Sequence, residues 1–148
     1  MSDVDVRNAV ARFFRAVDEA DWPAARARMT APFHQDYASF GAFEAGDVDP
    51  AGLLSGWAGV LPGFEHTHHQ LGNLEVTVDD AVAHVRCYGT ATHVLEAEVW
   101  TVVGSYDLTL ERAEAWRIRA LRFDFRYQTG PSDLPVRAGA RVAAGQGR

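Results

Sequence analysis

The stretch FEHTHHQLGN, residues 64–73, carries three histidines, His66, His68 and His69, within four positions. Histidine changes charge near neutral pH, so it can shuttle a proton or ligate a metal through a neutral ring nitrogen. On an extended strand His66 and His68 point together and His69 points the other way. The H-x-H pair has metal-ligand spacing, but no third ligand of clear spacing follows, and no metal is expected. His69 then reads either as a catalytic acid/base or as an ordinary pocket or core histidine.

A partner for His69 comes from the N-terminal segment. Val6, Val10, Phe13, Phe14 and Val17 recur at helical spacing and predict an amphipathic helix capped by Asp3. At about 100° per residue, Asp18 falls on the border of that apolar stripe, at the helix end. A carboxylate there can reach inward and fix an imidazole in one tautomer. The other reading is a solvated residue in the last turn, but a negative charge at a helix C-terminus opposes the macrodipole.

Two later segments supply further candidates. From Ala81 to His93 the odd positions are Ala81, Ala83, Val85, Cys87, Gly89, Ala91 and His93, so His93 shares a face with a row of small residues. Small residues lining a sheet leave room for a ligand. Ser105 and Asp107 lie two apart and share a face, which is either a pocket wall or simply a wet one. Trp57, Phe33, Phe40, Phe64, Phe123 and Phe125 read as core or pocket wall.

These residues need elements to hold them. After the first helix, DEADWPAARARM breaks it and opens a second with Pro23 in its first turn. PFHQDYASF reads as extended, and a third short helix is expected from Asp49–Pro50 to before Pro62–Gly63. Strands follow: EHTHHQLGNLEVTV, a turn at Asp79–Asp80, AVAHVRCYGTATHVLEAEVW, and then TVVGSYDLTLERAEAWRIRALRFDFRY turning near Glu114. Gly89 and Gly104 suggest bends or bulges. Helices followed by a meander predict α+β, with helices on one face of an antiparallel sheet. One domain over residues 1–129 is expected, with a loose tail at 130–148 that is rich in Gly, Ala, Pro and Arg.

Composition narrows the function classes. The chain has 148 residues and is 47% hydrophobic, enough for a core of ordinary domain size. No apolar run approaches the roughly 20 residues of a membrane span, and the polar start does not read as a signal peptide. Cys87 is the one cysteine, so no internal disulfide forms. A cytoplasmic location is expected. Net charge is −6 without a basic block, which argues against a nucleic-acid partner.

In order along the chain, VDEADW, HQDYASF, THHQLGN, GSYDLTL and EAWRI resemble the nuclear-transport-factor-2-like (SnoaL-like) superfamily, and within it the scytalone dehydratase branch, over residues 4–127. The resemblance implies a cone: a curved antiparallel sheet wrapped around a central pocket, with N-terminal helices closing its mouth. It implies His69 as the catalytic histidine, supported by Asp18, with Tyr37 helping to polarise a substrate carbonyl. It matches His93 to a second histidine, and Ser105 and Asp107 to a serine and an asparagine two apart. Two positions depart from the branch: Val17 stands where it has a second tyrosine, and Asp107 where it has asparagine. The family also implies a homo-oligomer, a dimer or trimer.

The expected activity is therefore that of a lyase acting on a small, hydrophobic, oxygenated ring compound, a hydroxylated cyclic ketone or polyketide intermediate. A proton alpha to the carbonyl would leave, followed by a beta hydroxyl as water. His69 and Asp18 would carry the proton, Tyr37 would donate to the enolate, and His93, Ser105, Asp107 and Trp57 would hold the substrate. This chemistry requires no cofactor. The alternatives are a SnoaL-like cyclase, an isomerase, an epoxide hydrolase using Asp107 or Asp18 to activate water, and a non-catalytic binding module.

Overall fold

The apolar stripe near the N-terminus folds as helix α1, Asp3–Asp18, with Asp3 and Asp5 in its first turn, where negative charge complements the helix dipole. Val6, Val10 and Phe13 are completely buried and Val17 nearly so, which anchors one side of the helix. Fully burying each such side chain contributes about 1.5–3 kcal/mol. The helix stops at Ala20, whose φ of 54° leaves the helical region. Asp21 then caps α2 (Trp22–Ala27), its carboxylate accepting from the Ala24 N–H. The computed structural model describes residues 3–41 and 43–148.

Strands β1 (Met29–Asp36) and β2 (Gly46–Val48) follow, with a 3₁₀ turn at Ala38–Phe40 between them. Helix α3 (Pro50–Ala58) starts at its Asp49 cap, and a second 3₁₀ turn spans Leu61–Gly63. The meander is β3 (His66–Asp79), β4 (Val82–Leu95), β5 (Glu98–Arg112) and β6 (Trp116–Thr129), and the last helix is α4 (Leu134–Ala143). The turn between β3 and β4 is made by Asp80 in the left-handed region, as the Asp79–Asp80 pair predicts. Among the described residues no helix is long and apolar enough to cross a membrane.

The six strands form one sheet in the order β2-β1-β6-β5-β4-β3. This corrects the expected antiparallel cone. The sheet is open, with β2 and β3 as unpaired edges, and it is mixed, because β1 runs parallel to β6. Most of the chain separates β1 from β6, and such a long connection permits a parallel pairing that a hairpin cannot make. The three residues of β2 offer too short a ladder to close the sheet on β3.

Two further expectations change. The sequence reads Val94–Trp100 as continuous strand, but the chain reverses at Glu96 and Ala97, with φ of 52° and 64°. Gly104 does sit at a register break, between Val103 and Gly104 in the β5–β6 pairing. Gly89 makes no such break; a side chain there would collide with the ring of Tyr106, which lies against it.

The tail expected to be loose is also ordered. Leu134 and Ala138 of α4 are fully buried, and a side chain at Gly63 would collide with the Ala138 carbonyl, so the helix rests directly on the second 3₁₀ turn. The tail has too few apolar residues to show a period, yet two at the right spacing are enough once a surface awaits them. Leu134→Ala is expected to cost about 2–4 kcal/mol, read as a lowered urea midpoint. An unchanged midpoint would mean that α4 does not contribute to the fold.

Candidate active site

A cavity of about 210 Å³ lies between α1, α3 and the inner face of the sheet. Phe13, Phe14 and Val17 of α1 form one wall, Tyr37, Phe40 and Phe43 another, and Trp57 and Leu61 a third. The sheet contributes His69 from β3, Ala91 and His93 from β4, Trp100, Val102 and Tyr106 from β5, and Phe123 from β6. Aromatic rings dominate, with few polar groups among them.

Asp18 and His69 meet at the junction of α1 and β3. Asp18 Oδ1 accepts from His69 Nδ1 at 2.7 Å, and Oδ2 accepts from the backbone N–H of the same residue at 2.8 Å. The two side chains are 16% and 13% exposed, so the contact is largely shielded from water. In the neutral tautomer that donates Nδ1–H to the carboxylate, Nε2 carries the lone pair, on a ring that lines the cavity. Phe14 packs on that imidazole with centroids 5.2 Å apart.

His93 faces the same cavity. It pairs across the ladder with Thr67, two residues before His69, which makes the histidines diagonal neighbours on one face of the sheet. Its Nδ1–H donates to the Trp100 carbonyl at 3.0 Å, and its ring lies 4.4 Å from the Trp100 ring and 5.0 Å from that of Phe64. Burial lowers its pKa to about 4; the Trp100 carbonyl pulls the other way, the neighbouring His69 lowers it and Asp18 raises it. At neutral pH His93 is therefore an uncharged ring whose Nε2 can only accept a hydrogen bond.

Tyr37 lies one residue past the end of β1, its ring within 6.0–6.3 Å of Phe43, Trp57 and Phe123. Trp57 lines the cavity as expected of a pocket wall. Burial raises the pKa of Tyr37, so its hydroxyl is a donor. The same holds for Tyr106, which the sequence reading overlooked and whose ring lies 5.0 Å from both Phe14 and Phe123. Neither hydroxyl has a protein partner among the described residues.

Ser105 and Asp107 do not reach the cavity. The pairing of β5 with β4 is uninterrupted, and the buried positions of β5 are the even ones from Trp100 to Leu110. Ser105 and Asp107 flank Tyr106 and face the opposite side, where Asp107 lies 3.3 Å from Arg86 and 3.5 Å from Arg122. The asparagine-to-aspartate departure thus adds charge to the outer face and none to the cavity. The signal was present: Val102, Tyr106, Leu108 and Leu110 alternate with Thr101, Ser105, Asp107 and Thr109, a pattern of apolar inside and polar outside. His66 and His68 are exposed, away from His69. Among the described residues no three metal-ligating side chains come together.

The depressed pKa of His93 makes a stability prediction. Its ordinary value is 6.5, so the fold favours the neutral ring. That contribution is complete above about pH 6.5 and is lost as pH falls toward 4, by roughly 2–4 kcal/mol. His93→Gln should flatten this part of the acid limb when urea stability is measured between pH 7 and 4. Parallel curves for the two proteins would show that His93 titrates normally.

A model of the SnoaL-like domain matches residues 2–122 of the chain. No curated protein matches. Solved structures do. The Kribbella flavida protein Kfla4162 is 23% identical with a TM-score of 0.80, covering 85% of this chain and 91% of its own. A candidate scytalone dehydratase from Novosphingobium aromaticivorans is 17% identical with a TM-score of 0.73, covering 86% and 85%. A hexachlorocyclohexane dehydrochlorinase, LinA type 3 from Novosphingobium barchaimii, is 17% identical with a TM-score of 0.67, covering 88% and 95%. At these identities the likeness is one of fold. The family match spans most of the chain and every residue of the cavity wall except Phe123, and the chain belongs to the SnoaL-like domain family of the NTF2-like superfamily.

Proposed function

We propose that the chain is a lyase that eliminates water from a small hydroxylated cyclic ketone by acid-base catalysis at His69. The observation that carries this reading is the Asp18–His69 pair at the wall of an otherwise apolar cavity. A carboxylate bonded to Nδ1 fixes the tautomer, orients the ring and stabilises the imidazolium formed when Nε2 takes a proton. An imidazole so held suits a base that must return the same proton as an acid.

In this mechanism Nε2 of His69 removes the proton alpha to the substrate carbonyl. Negative charge moves onto the carbonyl oxygen, and the Tyr37 and Tyr106 hydroxyls supply donors for it in a site lined mostly by apolar side chains. The imidazolium then protonates the beta hydroxyl, which leaves as water while the new double bond forms. His93 accepts a hydrogen bond from a substrate hydroxyl and so sets the orientation of the ring. Every proton is accounted for by the substrate and His69.

Cavity size favours elimination over chain cyclisation. At about 210 Å³ the cavity lies below the roughly 300–1,000 Å³ of usual ligand pockets, which favours a small ring compound over a long poly-ketone chain. The similar folds of a candidate scytalone dehydratase and a dehydrochlorinase, both named for eliminations, are in keeping with this choice. A water-activating carboxylate at Asp107 would act from the wrong face of the sheet.

Two measurements test the reading. In a turnover assay following the absorbance of the new conjugated ring, His69→Ala should reduce the rate on the order of 10²–10⁴-fold, the usual share of a general base. Loss of the ring donor to Asp18 should also lower the melting temperature by several degrees, so turnover is compared well below the transition of the variant. Asp18→Asn should lose less, because its side-chain oxygen can still accept from the His69 backbone. The second uses cyclic ketones that lack the beta hydroxyl: the protein should catalyse exchange of their alpha protons with deuterated water, and His69→Ala should not. A ketone that binds but shows no catalysed exchange would favour a non-catalytic binding module.

A further inference from the structure

Arg148 lies far from Asp18 in sequence but against it in space. Its guanidinium donates to the backbone carbonyl of Asp18 at 3.0 Å, to the carbonyl of Leu61 at 2.9 Å and to Thr67 Oγ1 at 3.3 Å. Its own backbone N–H donates to the Pro62 carbonyl at 2.7 Å. These contacts hold both elements that carry the acid-base pair. Asp18 ends α1, and Thr67 stands two residues before His69 on the same face of β3. Leu61 is part of the cavity wall.

The geometry points to Arg148 as a positioning residue for the Asp18–His69 pair, acting through the end of α1 and the start of β3. Two physical reasons support the assignment. Asp18 places a negative charge at the negative end of a helix dipole, an unfavourable location that a cation on the terminal carbonyl relieves. A planar guanidinium also presents several donors in a fixed fork, so its bonds to Asp18, Leu61 and Thr67 set their relative positions together. Burial costs the Arg148 charge something, which the field of Asp18 partly returns. The remaining arginine contacts of the segment lie elsewhere: Arg141 donates to the Gly63 carbonyl, and Arg137 pairs with Glu98 at 2.6 Å and Glu96 at 3.1 Å. Arg137 therefore fastens the same segment without touching either element of the pair.

The effect on turnover rests on the acid-base reading of His69, but the effect on geometry does not, so the test reads them separately. In the ¹⁵N-labelled full chain without ligand, exchange of the His69 Nδ1 proton with water reports how well the contact with Asp18 is held. Arg148→Ala should quicken that exchange about 10-fold, and Arg148→Lys should restore part of the protection. Turnover in Arg148→Ala should fall in kcat more than it changes in KM, by on the order of 10-fold, less than the ~10²-fold that an ångström of misplacement costs. Arg137→Ala is the control: its pairs are exposed, so it should change the melting temperature little and leave His69 exchange as in the parent. Unchanged His69 exchange in Arg148→Ala overturns the assignment, as does equal quickening in Arg137→Ala. If exchange quickens as expected while His69→Ala keeps full turnover, positioning by Arg148 stands and the acid-base reading falls.

Discussion

Asp18 accepts two hydrogen bonds from one residue, the ring N–H and the backbone N–H of His69, across 51 positions of sequence. Hydrogen bonds to a charged group contribute about 1.5–3 kcal/mol each, and the carboxylate is too shielded to be left without them. That demand fixes how α1 lies on the sheet. A shift of one residue along the helix would swing Asp18 about 100° away, and the same shift would pull Phe14 off the His69 ring and Val17 off the cavity wall. The helix that builds much of the core is thus held in place by the contact that gives the site its chemistry.

The sheet meets this helix with a surface shaped for large rings. Gly89 clears space for Tyr106, and Gly104 does the same for Phe123 at the register break. Tyr106 packs against Phe14, and Phe123 against Tyr37, so the aromatic wall links α1, the end of β1 and the meander. Polar groups enter this wall at only a few points, each held by a neighbour or donating from a ring. On the outer face of the sheet Arg86, Asp107, Arg122 and Asp124 form a chain of exposed pairs. Such pairs contribute little to stability, but they keep that face of the sheet hydrated.

His69 stands on β3, an edge of the sheet, and an edge strand has neighbours on one side only. Its position depends on β4 through the ladder, on Asp18 from above and on the segment around Leu61–Gly63 through Thr67 and Arg148. An edge places the histidine beside the cavity rim and within reach of the helix end, a location a central strand could not offer. The cost is that several separate elements must fix one strand.

By itself the sequence determined what local periodicity can encode. The stripe from Val6 to Val17 is helical whatever surrounds it, which puts Asp18 on the border of the buried face. Strand alternation separates His69 from His68 and sets His93 among small residues. Alternation also placed Ser105 and Asp107 opposite Tyr106, although the pattern of a homologous branch obscured it. Tertiary structure alone decided the rest. Glu96 and Ala97 turn the chain without glycine or asparagine because β4 and β5 pair well enough on either side to impose positive φ on both. Residues 134–143 become a helix because Gly63 leaves a flat seat for Ala138. The parallel pairing of β1 with β6, the open sheet and the reach of Arg148 to Asp18 join segments far apart in the chain. Such contacts depend on which distant surfaces are free to be covered, and no local pattern of residues records that.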